Sequence, residues 1–145
     1  MKRTLMIVCA VLAMTATALA ADNTLGTWII NTGKSKPASG GSPITSLTVV
    51  REAADGGVKT SAKGERADGS KIDATYTAKY GGEEVPVMST GTLLWDTVSI
   101  KQVNANTLTE ERTKKGGTYH ATVRHVVSNG GKVMTSTSKG TDPDG

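Results

Sequence analysis

His120 and His125 are the two histidines of the chain, five residues apart in a segment, Thr118–Ser128, with the composition of a β-strand. Alternate side chains of a strand point to opposite faces, so the odd spacing separates the two imidazoles and denies them a shared metal ion. Glu110, Glu111 and Arg112 lie just upstream, after Leu108. If Leu108 faces the core, Glu110 and Arg112 face it too. Beside an inward His125 they would form a polar group able to meet a ligand's head group. Charges so placed need partners, since an unpaired one inside the fold costs several kcal/mol. A bulge or register shift would instead send the pair to solvent, the commoner fate of charged strand residues. For His125, a hydrogen-bonded core position is the commoner role.

Catalytic patterns are missing. The nearest approach to a Gly-x-Ser-x-Gly elbow, Gly40-Gly41-Ser42, continues with Pro43-Ile44. The carboxylates are scattered, with no close pair suited to acid catalysis. Gly33-Lys34-Ser35 ends like a phosphate-binding loop, but the glycine required five positions before Gly33 is Trp28. The sequence therefore names no catalytic residue, no metal and no cofactor, and the expectation is a protein that is not an enzyme.

The elements that must position these residues are strands. Runs rich in Thr, Val, Ile and Tyr alternate with Gly, Asp and Asn clusters such as Asp55-Gly56-Gly57, Gly116-Gly117 and Asn129-Gly130-Gly131. Nine strands are predicted: Thr24–Asn31, Ile44–Glu52, Gly57–Ala62, Lys71–Tyr80, Glu84–Met88, Thr97–Val103, Thr107–Thr113, Thr118–Ser128 and Lys132–Gly140. Tight turns in series pair each strand with its predecessor, giving an all-β antiparallel up-and-down meander that removes its edges if it closes into a single barrel. Alternation turns Ile72, Ala74, Tyr76, Ala78 and Tyr80 inward, with Leu47, Val49, Val98 and Ile100. From the eighth strand Tyr119, Ala121, Val123, His125 and Val127 join them. Phe is absent and many inward positions are Ala or Thr, so the interior is thin.

Lys2 and Arg3, an apolar run from Leu5 to Met14 and the small residues to Ala20 describe a secretory signal peptide. The apolar run is too short to span a bilayer, which needs roughly 20 residues. The expected organisation is a signal peptide over 1–20 and one domain over 21–145, exported to the periplasm or exterior of a Gram-negative bacterium. Cys9, the one cysteine, falls in the leader. Losing Lys2 and Arg3 lowers the formal charge from +4 to +2, too weak for a nucleic-acid footprint.

Gly26-Thr27-Trp28 at the start of the first strand resembles the opening of the calycins, the lipocalins and fatty-acid-binding proteins. Asp96-Thr97-Val98-Ser99-Ile100-Lys101, Asn104-Ala105-Asn106-Thr107 and Val126-Val127-Ser128-Asn129-Gly130-Gly131 resemble later hairpins of small secreted bacterial calycin-like proteins. The resemblance implies a barrel based on Gly26 and Trp28, with a small, mostly apolar ligand in its lumen. Tyr76, Tyr80, Tyr119 and His125 would line that lumen, with Arg112 and Glu110 near the head group. Gly33–Pro43 has no room for the helical lid of fatty-acid-binding proteins, and their carboxylate clamp is not carried over. Thr141-Asp142-Pro143-Asp144-Gly145 reads as a turn toward a further strand. That leaves three alternatives: a missing final strand, closure by nine strands, or an edge free to dock on a partner protein or a second copy.

Overall fold

The computed structural model describes residues 21–36 and 41–141. The leader with Cys9, the Pro37–Gly40 part of the first loop and the Asp142–Gly145 turn lie outside the described residues. The chain forms β1 (Gly26–Ile29), β2 (Ile44–Ala54), β3 (Gly57–Arg66), β4 (Lys71–Lys79), β5 (Val85–Pro86), β6 (Met88–Ser89), β7 (Thr97–Asn104), β8 (Thr107–Thr113), β9 (His120–Ser128) and β10 (Val133–Thr141), with no helix among the described residues.

All pairings are antiparallel, in two five-stranded sheets ordered β1-β2-β3-β4-β6 and β10-β9-β8-β7-β5. β5 and β6 divide the single strand expected over Glu84–Met88. Pro86 pairs with Thr97 of one sheet, and two residues on Met88 pairs with Thr75 of the other. This extended pass joins the sheets on one side, and β4 packs against β7 there. On the far side β1 and β10 do not pair, so the meander does not close. Barrel closure, expected from turn chemistry, depends on long-range pairing between first and last strands, which local sequence does not encode.

The register puts the expected faces inward. Arg51, Thr60 and Tyr76 stand in one cross-strand row, and Val49, Ala62 and Ala74 in the next. The apolar core gathers on the joined side: Val58, Tyr76, Ala78, Val98, Ile100 and Leu108, with Leu25, Tyr80, Val85, Val87 and Trp95 against it. Neither β1 nor β10 contributes a buried residue. Trp28, expected to plug a barrel base, is instead half-buried on the free lip, its indole N–H donating to the Thr24 carbonyl at 2.8 Å. Ile29 beside it is 76% exposed.

Small residues set how closely strands approach. A Cβ on Gly57 would stand 2.0 Å from the Ala78 carbonyl oxygen and 2.6 Å from the Lys79 Cα, which are backbone atoms with little room to yield. Gly57→Ala is therefore expected to lower stability by about 1–3 kcal/mol. Gly41→Ala, where a Cβ would meet nothing within 4 Å, should stay within about 0.5 kcal/mol. Urea denaturation of both variants checks the contrast.

Candidate functional site

Alternation along β8 decides the fate of Glu110. Leu108 is fully buried, and two residues on Glu110 faces the same interior with no exposure. Its carboxylate is surrounded. Arg51 Nη2 from β2 donates to Oε1 at 2.8 Å, and the Tyr76 hydroxyl from β4 donates to the same oxygen at 2.7 Å. Arg112 donates to Oε2 through Nε at 2.9 Å and Nη2 at 2.7 Å. His125 Nε2 from β9 lies 3.2 Å from Oε1, but off the line of a straight hydrogen bond. Its Nδ1 is 2.6 Å from Ser136 Oγ on β10. The bulge that would have turned Glu110 and Arg112 to solvent does not form: β8 stays in unbroken register with β9.

Arg112 also lies over the Trp95 ring, 4.6 Å from its centroid, and Trp95 meets Tyr76 edge-on at 6.3 Å. Guanidinium, indole and phenol thus close a loop of contacts around the carboxylate. A cation over an indole face contributes roughly 0.5–2 kcal/mol, more as water is excluded.

The electrostatics follow from this enclosure. Burial opposes ionisation of Glu110, but Arg112, the contact with His125 and Arg51 together hold its carboxyl well below the usual carboxylate range. Burial also lowers the His125 pKa, against the pull of Glu110. Burial and then Glu110 raise the Tyr76 hydroxyl, keeping it a neutral donor. With Glu110 ionised and His125 neutral, two guanidinium groups face one carboxylate. Of the two, Arg51 is buried and Arg112 reaches solvent.

Arg51 has unspent donors. Arg51 Nε and Nη1 are buried without a hydrogen-bond partner, although the Arg51 side chain is 2% exposed. Arg51 stands directly across from Gly26 on the β1 lip. Sequence reasoning did not pick out Arg51. The signal was present, because Leu47 and Val49 are inward and the next position of the same parity is 51.

Of the residues expected to line a lumen, Tyr76, Glu110, Arg112 and His125 come together, and Tyr80 and Tyr119 do not. The Tyr80 hydroxyl donates to the Asp22 carboxylate, which also accepts from the Thr24 backbone N–H at 2.8 Å. Burial is the main cause of its raised pKa. This pins residues 22–25 across one end of the fold, where Asn23 N–H reaches the Ala105 carbonyl at 2.8 Å. Tyr119 borders a surface concavity of about 380 Å³ with Leu93, Leu94 and Lys114. Gly26 and Trp28 lie on the free lip. His120 is exposed on the opposite face from His125, 3.0 Å from Glu111. Among the described residues no three His, Cys, Asp or Glu side chains are placed to hold a metal ion. Lys34 and Ser35 lie in an exposed turn.

Removing the carboxylate leaves the buried Arg51 guanidinium and the partly buried Arg112 guanidinium uncompensated, so Glu110→Gln is expected to cost about 3–5 kcal/mol. A wild-type melting temperature would contradict the cluster. The folded-state pKa of Glu110 is lowered, so its contribution is present above the ordinary carboxyl value of about 4.3 and is lost as pH falls below it. His125 is lowered too. The folded chain therefore loses stability as pH falls below about 6.5, where the unfolded chain takes the proton first. Thermal melts between about pH 8 and pH 3 should show both windows; His125→Gln should flatten the upper one and, by loosening the hold on Glu110, shrink the lower one.

No protein-family model matches this chain, and no curated protein or solved structure matches it either.

Proposed function

We propose that this chain is an exported interaction module that takes an extended segment of another protein as a strand in the seam between β1 and β10. The observation that carries the reading is the sense of the two lips. The ten strands of the described residues, with β5 and β6 forming one pass, make nine passes, and every neighbouring pair is antiparallel. After an odd number of alternating passes, β1 and β10 run the same way. They are therefore mismatched for antiparallel pairing with each other, and one inserted strand of opposite sense is antiparallel to both. With that strand in place the meander would close into the calycin-like barrel that the sequence resembles.

The lips support this reading. All nine residues of β10 pair with β9, and among the described residues no strand pairs with its other edge. Soluble proteins guard such edges with charged side chains, above all lysine, bulges or prolines, and β10, Val-Met-Thr-Ser-Thr-Ser-Lys-Gly-Thr, carries one of these guards, Lys139, near its far end. Its inward Ser136 and Ser138 are exposed, so that side of the interior opens to water. A second copy satisfies only one lip, because its β10 is already bound to its own β9. Backbone hydrogen bonds along both lips would supply affinity, and alternate side-chain positions would supply selectivity. The leader supports export.

A small, mostly apolar ligand is the second reading. The concavity beside Leu93, Leu94 and Tyr119 favours it, whereas the core between the sheets is filled by its own side chains. A discrete adduct in native mass spectrometry, lost on organic extraction, would move the conclusion to it.

The test uses a nine-residue peptide, matched to the length of β10, of alternating threonine and valine with glutamate at its centre. Amide hydrogen exchange is followed with and without it. Protection rising on both β1 and β10, and abolished by Ser138→Lys, is the expected outcome. No protection at millimolar peptide overturns the reading, as does a peptide-independent dimer protected on β10 alone.

A further inference from the structure

We infer that Ser136 is a nucleophile, activated by His125, that accepts the acyl group of a small ester. The inference goes beyond strand docking and stands without it. It rests on a chain of contacts crossing three adjacent strands. Ser136 Oγ on β10 lies 2.6 Å from His125 Nδ1 on β9, and His125 Nε2 lies 3.2 Å from Glu110 Oε1 on β8. Glu110 and His125 are buried, whereas Ser136 is exposed on the open side of the meander, where a substrate can reach it. No motif in the sequence announces this group, because its contacts join strands rather than neighbours in the chain.

The tautomer gives the chain of contacts its direction. An ionised carboxylate only accepts, so the ring nitrogen facing Glu110 carries the proton and Nδ1 keeps its lone pair. Ser136 Oγ–H then donates to Nδ1. Hydroxyl, base and orienting carboxylate stand in the order that activates a serine. The Glu110 contact is off the line of a straight hydrogen bond. A negative charge that close in an enclosed site still favours the imidazolium formed when Nδ1 takes the serine proton. Burial lowers the His125 pKa, so the base is neutral at neutral pH. Arg51, Tyr76 and Arg112 fix the carboxylate that faces it.

The lip supplies a donor for the developing oxyanion. Lys114 N–H bonds to the Tyr119 carbonyl and Val127 N–H to the Asn106 carbonyl, so the odd-numbered residues of β9 turn their backbone groups to β8. The even-numbered ones turn to β10, where Arg124 and Val126 meet Thr137 and Thr135. Ser136, between those two, points its own N–H into the seam, on the same residue as the attacking hydroxyl. A fixed backbone N–H there stabilises the charge on a tetrahedral intermediate.

The reaction is acyl transfer to water. Oγ attacks the ester carbonyl carbon as its proton passes to Nδ1. The bond to the alkoxy group breaks, and the leaving oxygen takes that proton and departs as an alcohol. Water then attacks acyl-Ser136, giving its proton to Nδ1; the acid is released and Oγ recovers a proton.

The experiment treats the unaltered protein with diisopropyl fluorophosphate, which loses fluoride as a serine oxygen bonds to phosphorus, and maps the adduct by mass spectrometry. Ser136 should be labelled ahead of Ser128 and Ser138, exposed serines whose cross-strand partners are Val133 and Val123. His125→Gln should slow that labelling about 100-fold or more. Ser136→Ala trims an exposed hydroxyl and keeps the fold; it should abolish the continuing release of p-nitrophenol from p-nitrophenyl acetate. Nitrogen NMR should find His125 protonated at Nε2. Equal labelling of the three serines, or a proton on Nδ1 instead, overturns the inference. Labelling at Ser136 with p-nitrophenol release limited to a single burst overturns hydrolysis and leaves a serine that is acylated once.

Discussion

Everything in this molecule is arranged around a single buried carboxylate. Glu110 is wholly enclosed, and its ligands come from both sheets: Arg51 and Tyr76 from one, Arg112 and His125 from the other. A carboxylate taken out of water without partners is disfavoured by several kcal/mol, and even a paired one gains little net stability over an apolar replacement. What the cluster supplies is specificity of arrangement. Its donors meet on one carboxylate only when β2, β4, β8 and β9 hold their observed registers. A one-residue slip of β8 would turn Glu110 and Arg112 to solvent and Glu111 inward, separating Arg51, Tyr76 and His125 from the carboxylate they share.

The thin composition of the interior makes this constraint more important. The buried apolar residues are mostly Val, Ala, Ile and Leu, and the core cluster sits where β4 meets β7 on the joined side. Hydrophobic burial holds that side shut, at about 25 cal/mol per Å². Toward the seam the interior becomes polar and the strands become exposed. Among the described residues the fold is therefore a pair of sheets joined on one side, apolar at the join, ionic behind the opening and unpaired along both lips.

The openness follows from counting strands. An odd number of antiparallel passes leaves the first and last strands running in the same sense, so the meander lacks a complementary edge of its own. Charge has the same imbalance, with two guanidinium groups sharing one carboxylate. The open side of the meander and the ionic cluster are neighbours, because Arg51 is the cross-strand partner of Gly26 on the β1 lip.

Much of this was legible in the sequence because it is local. Period-two alternation placed Tyr76, Ala78, Val98, Ile100, Ala121, Val123 and His125 inward, and turn residues located the strands to within a few positions. The same parity carried Glu110 inward, although a solvent-facing bulge was the commoner expectation for a charged strand residue. Other features were beyond local reading. The division of one expected strand into β5 and β6 is a choice of partners, made by packing against β4 and β7 rather than by the residues of Val85–Ser89. Trp28 and Trp95 are chemically alike; only tertiary structure left the first on a lip and set the second beside Tyr76 and Arg112. Closure depends on edges separated by the whole domain, and the convergence of Arg51 with Glu110 spans 59 residues. Sequence decided which side chains face inward, because alternation is a property of each strand. The meeting of those side chains, and the parting of the two edges, was decided by the tertiary structure, because both depend on how strands far apart in the chain are stacked.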